Sequence, residues 1–317
     1  MPGARVVVVR TSPRTAPGLL SWPAWEALRS APVLVADEEH PQVPALRAAG
    51  VPVEQVPPAE AVRRRTTGVP VVWLAADGDD LPDGLVDAEV VQGSYDLPGA
   101  RLLDVVAVMD RLRSPGGCPW DAQQTHASLR PFLLEEAYEA YEALEDDDPV
   151  ALREELGDVL LQVVFHARLA EEADAPWSVD DVAGDLFDKL VHRHPHVFAD
   201  GSADDLETTW DARKAAEKGR TSVTEGVPLG QPALALAAAL QKRGGRLGAP
   251  VPAYDGLGGQ LWELVRRCRE HGVDPEAELR AVARRYRDAL AGAEHAVRDE
   301  GGDPAALDGR GWATRWA

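Results

Sequence analysis

The 317-residue chain has only two cysteines, Cys118 and Cys268. That is too few for a disulfide framework and fits a reducing compartment. Long apolar runs are missing as well: the longest, "ALALAAAL" at 233–240, falls far short of a membrane span. The opening "MPGARVVVVR" is too short in its apolar part for a signal-peptide core. Positive charge is scarce, with 33 Lys and Arg against 53 Asp and Glu and a formal charge of −20. Ordinary nucleic-acid binding is thereby excluded, because phosphate contacts need clustered bases. A small anionic ligand stays open where metal ions or a local basic group offset the repulsion. These absences lead us to expect a soluble cytoplasmic protein with neither nucleic acid nor membrane as partner.

What is present changes character along the chain. An apolar content of 45% supports a packed core. Up to residue 97, short Val-rich runs ("RVVVV", "PVLVAD", "VPVVWLA") alternate with Pro, Gly and one helical segment, "PAWEALRSA", a small α/β pattern. From Leu102 onward β signals nearly vanish, and helices are expected over roughly 101–113, 128–146, 149–173, 179–192, 204–218, 230–243, 258–271 and 275–298. Asp148-Pro149, Asp274-Pro275 and Asp303-Pro304 read as N-caps followed by proline at the first helical position. Ser178 with Asp181 resembles a capping box. The turn-rich "KGRTSVTEGVPLGQP" at 218–232 suggests a second boundary. Three regions are expected: an α/β appendage over 1–97, a helical domain over 98–220, and a further helical region over 221–317. The last echoes the second, since "ELGDVLLQVVFHAR" from Glu155 aligns with "GLGGQLWELVRRCR" from Gly256. Gly256 and Gly259 stand where Glu155 and Asp158 stand in the first copy.

The densest chemistry lies between residues 135 and 158, where eleven acids face one base, Arg153. Winding 132–146 as a helix puts Leu133, Ala137, Ala140, Tyr141 and Leu144 on one apolar face, with Glu136 and Glu139 beside it. Glu142, Glu145 and Asp146–Asp148 read as solvated surface, turn and cap. The next helix is apolar over most of its circumference, which predicts burial, and its one polar stripe holds Glu155, Asp158, Gln162 and His166. The turn at 146–149 makes the two helices antiparallel neighbours, so Glu136 and Glu139 can face Glu155 and Asp158. Two like charges ~6 Å apart repel by about 3 kcal/mol at an effective dielectric near 20. Arg130 and Arg153 cannot neutralise all four. Hard oxygen ligands without Cys or His at metal spacing point to Mg²⁺ or Mn²⁺.

The same residues carry a resemblance. Glu135-Glu136-x-x-Glu139 followed by Glu155-x-x-Asp158 is similar to the EExxE…ExxD signature of MazG-type nucleoside triphosphate pyrophosphohydrolases. "MDRLRSPGGCPWDAQQTHASL" before it and "DKLVHRHPHVFAD" and "LETTWDARKAAEK" after it agree in order. The resemblance implies a mainly α fold: a MazG-type helical bundle with the α/β appendage and a degenerate, catalytically silent C-terminal repeat. It also implies a homodimeric, Mg²⁺-dependent enzyme that converts an NTP or dNTP to the monophosphate and pyrophosphate, removing aberrant or surplus nucleotides. Glu136, Glu139, Glu155 and Asp158 would hold the metals. Glu135 either orients the attacking water or is a solvated neighbour. Lys189 and Arg193, at i and i+4, match triphosphate contacts or else pair with Asp185 or Asp188 on the surface. Trp210 and Lys214 match the later W-x-x-x-K segment and complete the substrate-binding set. Trp120 reads as a packing or base-contacting residue, and "HRHPHVF" as a structured loop. Rival readings are a hydrolase of an alarmone or other nucleotide pyrophosphate, and a non-catalytic nucleotide-binding module. The N-terminal region resembles the opening of tetrapyrrole methylases. "RTSPRTAP" replaces the glycine-rich turn of that family, which implies a remnant fold or an interaction surface.

Overall fold

The computed structural model describes residues 6–199 and 221–315. The chain divides into two compact units, Met1–Val191 and His192–Ala317. The first begins with five strands: β1 (Val6–Thr11), β2 (Val33–Val35), β3 (Val53–Gln55), β4 (Val71–Ala76) and β5 (Glu89–Gln92). They form one parallel sheet in the order β3-β2-β4-β1-β5. Where the sequence suggested one helix in this region there are three: α1 (Trp22–Ser30), α2 (Val43–Ala48) and α3 (Pro58–Thr66).

A parallel sheet needs cover on both faces, and its strands read as near-continuous apolar runs. Alternate side chains serve the two faces. Val7, Val9, Val33, Val35 and Leu74 pack with Ala24 and Leu28 of α1 and with Val43 and Leu46 of α2. Val6, Val8, Leu34 and Trp73 pack with Ala61 of α3 and Leu85. The turn after β1 is held by side chains rather than by glycines. Ser12 N–H donates to Ser94 Oγ at 2.9 Å. Arg14 donates to Asp96 at 2.6 Å and to Asp104 at 2.8 Å, the latter on the helix that follows the sheet.

That helix is α4 (Arg101–Arg113), succeeded by α5 (His126–Glu145), α6 (Pro149–Ala170) and α7 (Val179–Arg193). Met109 of α4, Leu129 of α5 and Val164 and Phe165 of α6 form their common core. Arg168 of α6 is paired with Asp110 of α4 at 2.9 Å, and Arg113 with Glu172 at 2.8 Å. The second unit contains α8 (Pro195–Phe198), α9 (Ala233–Arg246), α10 (Gly256–Glu270), α11 (Pro275–Asp299) and α12 (Gly309–Ala313). Buried Gln241 of α9 donates to the carbonyl of Trp262 on α10 at 3.0 Å.

The helix expectations hold to within a few residues wherever the chain is described; the helix expected over 204–218 lies outside the described residues. All three Asp-Pro caps form, with Asp148, Asp274 and Asp303 each accepting backbone N–H groups. Asp181 accepts from Ser178 N–H at 2.7 Å, as a capping box requires. The "HRHPHVF" segment is a correction: it ends α7 and forms the short α8 instead of a loop. Burial of the acidic hairpin is a second correction. In α6, Leu156 is 53% exposed and Val163 37%, and on α5 Leu133 and Leu144 are also exposed. Their pattern is apolar, but a single hairpin cannot cover every side of two helices. Among the described residues no helix is long and apolar enough to cross a membrane.

Candidate active site

The turn between α5 and α6 fixes the site. Asp147 has φ 53°, a left-handed conformation that Asp tolerates better than most residues. Around it, Asp148 N–H donates to Ala143 O at 3.0 Å and Asp147 N–H to Leu144 O at 3.4 Å, a Schellman closure of α5. Asp148 then caps α6 through its side chain, accepting from Val150 N–H at 2.9 Å. The three consecutive aspartates are therefore the terminator, the left-handed hinge and the next initiator. The antiparallel hairpin makes positions equidistant from Asp147 meet. Glu136 lies eleven residues before it and Asp158 eleven after; Glu139 lies eight before and Glu155 eight after.

The side chains follow that pairing. One carboxylate oxygen from each of Glu136, Glu155 and Asp158 lies within 4.8 Å of the others. Burial raises the Glu136 pKa above the ordinary carboxylate range, and the charges of Asp158, Glu139 and Glu135 add to it. Burial likewise raises Glu155, followed by the charges of Glu139 and Asp158. Among the described residues, the charges that act most strongly on these two groups are other carboxylates. Glu139 is more exposed than the other three and couples to both Glu136 and Glu155. Oxygen-only donors, converging from two helices and held at unfavourable protonation, fit a hard divalent cation.

The other sequence-predicted residues are more dispersed. Glu135 is exposed on α5, next to the cluster in sequence. Lys189 is exposed on α7, with no ion pair to Asp185 or Asp188, while Arg193 is buried at the last position of that helix. Trp210 and Lys214 lie outside the described residues. Trp120 is 53% exposed and meets Phe132 edge-on, ring centroids 6.3 Å apart. Sequence reasoning missed His126. Its Nδ1 lies 2.8 Å from Nδ1 of His166, which continues the polar stripe of α6. The only hint was a histidine at the first turn of α5, forty residues from its partner.

Residues 124–198 match the model of the MazG nucleotide pyrophosphohydrolase domain. Among similar proteins, an uncharacterised 26.1 kDa protein from the blaB 3′ region of Streptomyces cacaoi is 56% identical over 70% of this chain and 93% of its own. A protein named nucleoside triphosphate pyrophosphohydrolase from Mycobacterium tuberculosis is 45% identical over 63% of this chain and 60% of its own length. The Thermotoga maritima protein named nucleoside triphosphate pyrophosphohydrolase/pyrophosphatase MazG is 36% identical over 64% of this chain and 89% of its own.

Proposed function

The chain belongs to the MazG family of nucleotide pyrophosphohydrolases, and from that premise we propose how it works. It is a nucleoside triphosphate pyrophosphohydrolase. The proposed reaction splits NTPs and dNTPs into the monophosphate and pyrophosphate, clearing surplus or aberrant nucleotides in the cytosol. Both cysteines being free fits that compartment. The observation that supports the site most strongly is the convergence of Glu136, Glu155 and Asp158 within 4.8 Å, where neighbouring carboxylates raise the pKa of Glu136 and Glu155 further.

In this reading Glu136, Glu139, Glu155 and Asp158 hold Mg²⁺ or Mn²⁺. A bound divalent ion supplies charge neutralisation and polarises phosphoanhydride oxygens and water. The carboxylates orient what they hold because their helices are locked by the Asp146–Asp148 turn. Glu135 stands next to the ligands with its carboxylate exposed, suited to orienting the attacking water. Lys189, Arg193, Trp210 and Lys214 are assigned to the triphosphate and nucleoside. Exposed Leu133, Leu144, Leu156 and Val163 support a homodimer that covers these faces. The N-terminal sheet serves as a scaffold for α4, consistent with the Arg14–Asp104 bond and with a first turn filled by hydrogen-bonded side chains.

The test is product analysis across a panel of NTPs, dNTPs and other nucleotide pyrophosphates, with Mg²⁺ and after chelation. Monophosphate and pyrophosphate in equal amounts, lost on chelation and restored by Mg²⁺, are expected. Orthophosphate release, or turnover indifferent to chelation, refutes the proposal.

A further inference from the structure

The carboxylates use only the first half of the polar stripe on α6. Gln162 and His166 follow Asp158 at four and eight residues, which keeps them on the same helix face and advances roughly one turn each time. Gln162 is 4% exposed. Among the described residues its Oε1 has no hydrogen-bond partner, and neither has Nε2 of His166. Leaving a buried acceptor unpaired costs stability, and an apolar residue of the same shape would avoid that cost. In the second copy the position of Gln162 is Glu263, which is satisfied by ion pairing with Arg266. The orphaned pair is thus confined to the copy that has the carboxylates.

His166 is held from its far edge. The rings of His126 and His166 are inclined by only 8° with centroids 5.0 Å apart, and their Nδ1 atoms share one hydrogen bond. One of the two Nδ1 atoms donates in that bond, so the tautomer of His166, and with it what Nε2 presents, is tied to that of His126. His126 is a positioning residue in this arrangement.

We propose that Gln162 and His166 are the sugar-recognition end of the active site: Gln162 Oε1 accepts a hydrogen bond from a hydroxyl of the substrate's ribose or deoxyribose, and His166 Nε2 bonds the same sugar. This rests on the reading that the triphosphate lies at the carboxylates. Gln162 is then about 6 Å further along α6 than Asp158, on the side away from the Asp146–Asp148 turn, and the nucleoside is assigned to that side. A hydroxyl donates and accepts, so it satisfies both atoms in either tautomer of His166; an amine only donates and a carbonyl only accepts. Both atoms are covered in the ligand-free chain, so binding includes a side-chain rearrangement that opens the groove between α5 and α6.

Pyrophosphate release is measured for the full-length chain with a 2′-deoxy and a 2′,3′-dideoxy triphosphate of the same base. Wild type should show a KM about tenfold higher for the dideoxy substrate, the worth of one hydrogen bond to a sugar hydroxyl. Gln162→Met should bring the ratio of the two KM values close to one, and its thermal midpoint should not fall, because an unpaired buried acceptor has been removed. A wild-type ratio near one, or a ratio that Gln162→Met leaves intact, overturns the assignment and leaves the orphaned atoms to buried water. If Gln162→Met does not fold, His166→Gln is read by the same ratio. A wild-type protein that releases no pyrophosphate from either substrate refutes the catalytic reading itself, and the assignment falls with it.

Discussion

Helices α6 and α10 share the run Leu-Gly-x-x-Leu, at Leu156–Leu160 and Leu257–Leu261, yet one carries four polar side chains in register and the other cannot. The reason is backbone geometry. Gly256, in the place of Glu155, has φ +78°, where an L-residue is strained. At Gly259, in the place of Asp158, a Cβ would fall 1.8 Å from the carbonyl oxygen of Tyr254. The acidities differ as well. Hydrogen bonding to Arg266 lowers the pKa of Glu263, whereas burial and neighbouring acids raise that of Glu155 on α6 and of Glu136 facing it from α5. Helix α10 is an ordinary helix with solvated ion pairs, and its backbone closes the positions that acids would need.

The comparison breaks most visibly if the acids of α6 are dispensable. Asp158→Ala and Glu155→Ala should each lower pyrophosphate release by on the order of 100-fold or more, as expected for a lost contribution of several kcal/mol. Glu263→Ala should leave turnover within about twofold. Equal loss in both copies would end the distinction.

Next comes the steric contrast. Gly259→Ala should destabilise the chain by about 1–3 kcal/mol, since the Tyr254 carbonyl must move. Gly258→Ala, one residue earlier with open space around it, should be neutral or gain up to about 1 kcal/mol from helix propensity. Urea denaturation of both variants reads the difference.

A smaller effect separates the two acidities. With its pKa raised by folding, Glu136 favours the folded state below the ordinary carboxylate range, and that contribution is lost as pH rises through the raised value. Glu136→Gln should therefore raise the melting temperature of chelated protein at pH 7, a gain that fades toward about pH 4. Glu263→Gln should do the opposite, lowering it at pH 7 and fading as Glu263 itself protonates in acid. Saturating Mg²⁺ should reverse the sign for Glu136→Gln alone.

The smallest contrast concerns the caps. Asp148→Ala and Asp274→Ala each remove a side chain accepting two backbone N–H groups, so each should cost about 0.5–2 kcal/mol. Only the first should also slow turnover, because only that cap sets the register of the carboxylates.

Much of this was legible in residue order because it is local. The Asp146–Asp148 run, the Asp-Pro caps and the 3.6-residue period locate the helices and bring Glu136 opposite Asp158 without any tertiary information. What escaped depends on partners distant in the chain. The period shows that Leu133 and Leu156 are apolar but says nothing of what covers them. His126 meets His166 only because the hairpin closes, and Arg14 meets Asp104 only because β1 lies beside β5. The short α2 and α3 were missed because Pro and Gly punctuate them and their apolar residues are too few to show a period. Trp210 and Lys214 stay as expectations.

Arg14 has a practical consequence for dissecting the chain. The change of composition near residue 97 invites a truncation that keeps only the helices, but such a fragment would begin beside Asp104 with Arg14 deleted and only the 3.3 Å pair with Arg101 left to it. Leu103, half-exposed already, would lose the loop residues that wall the hollow around it. A shortened version intended for expression should therefore start at β1.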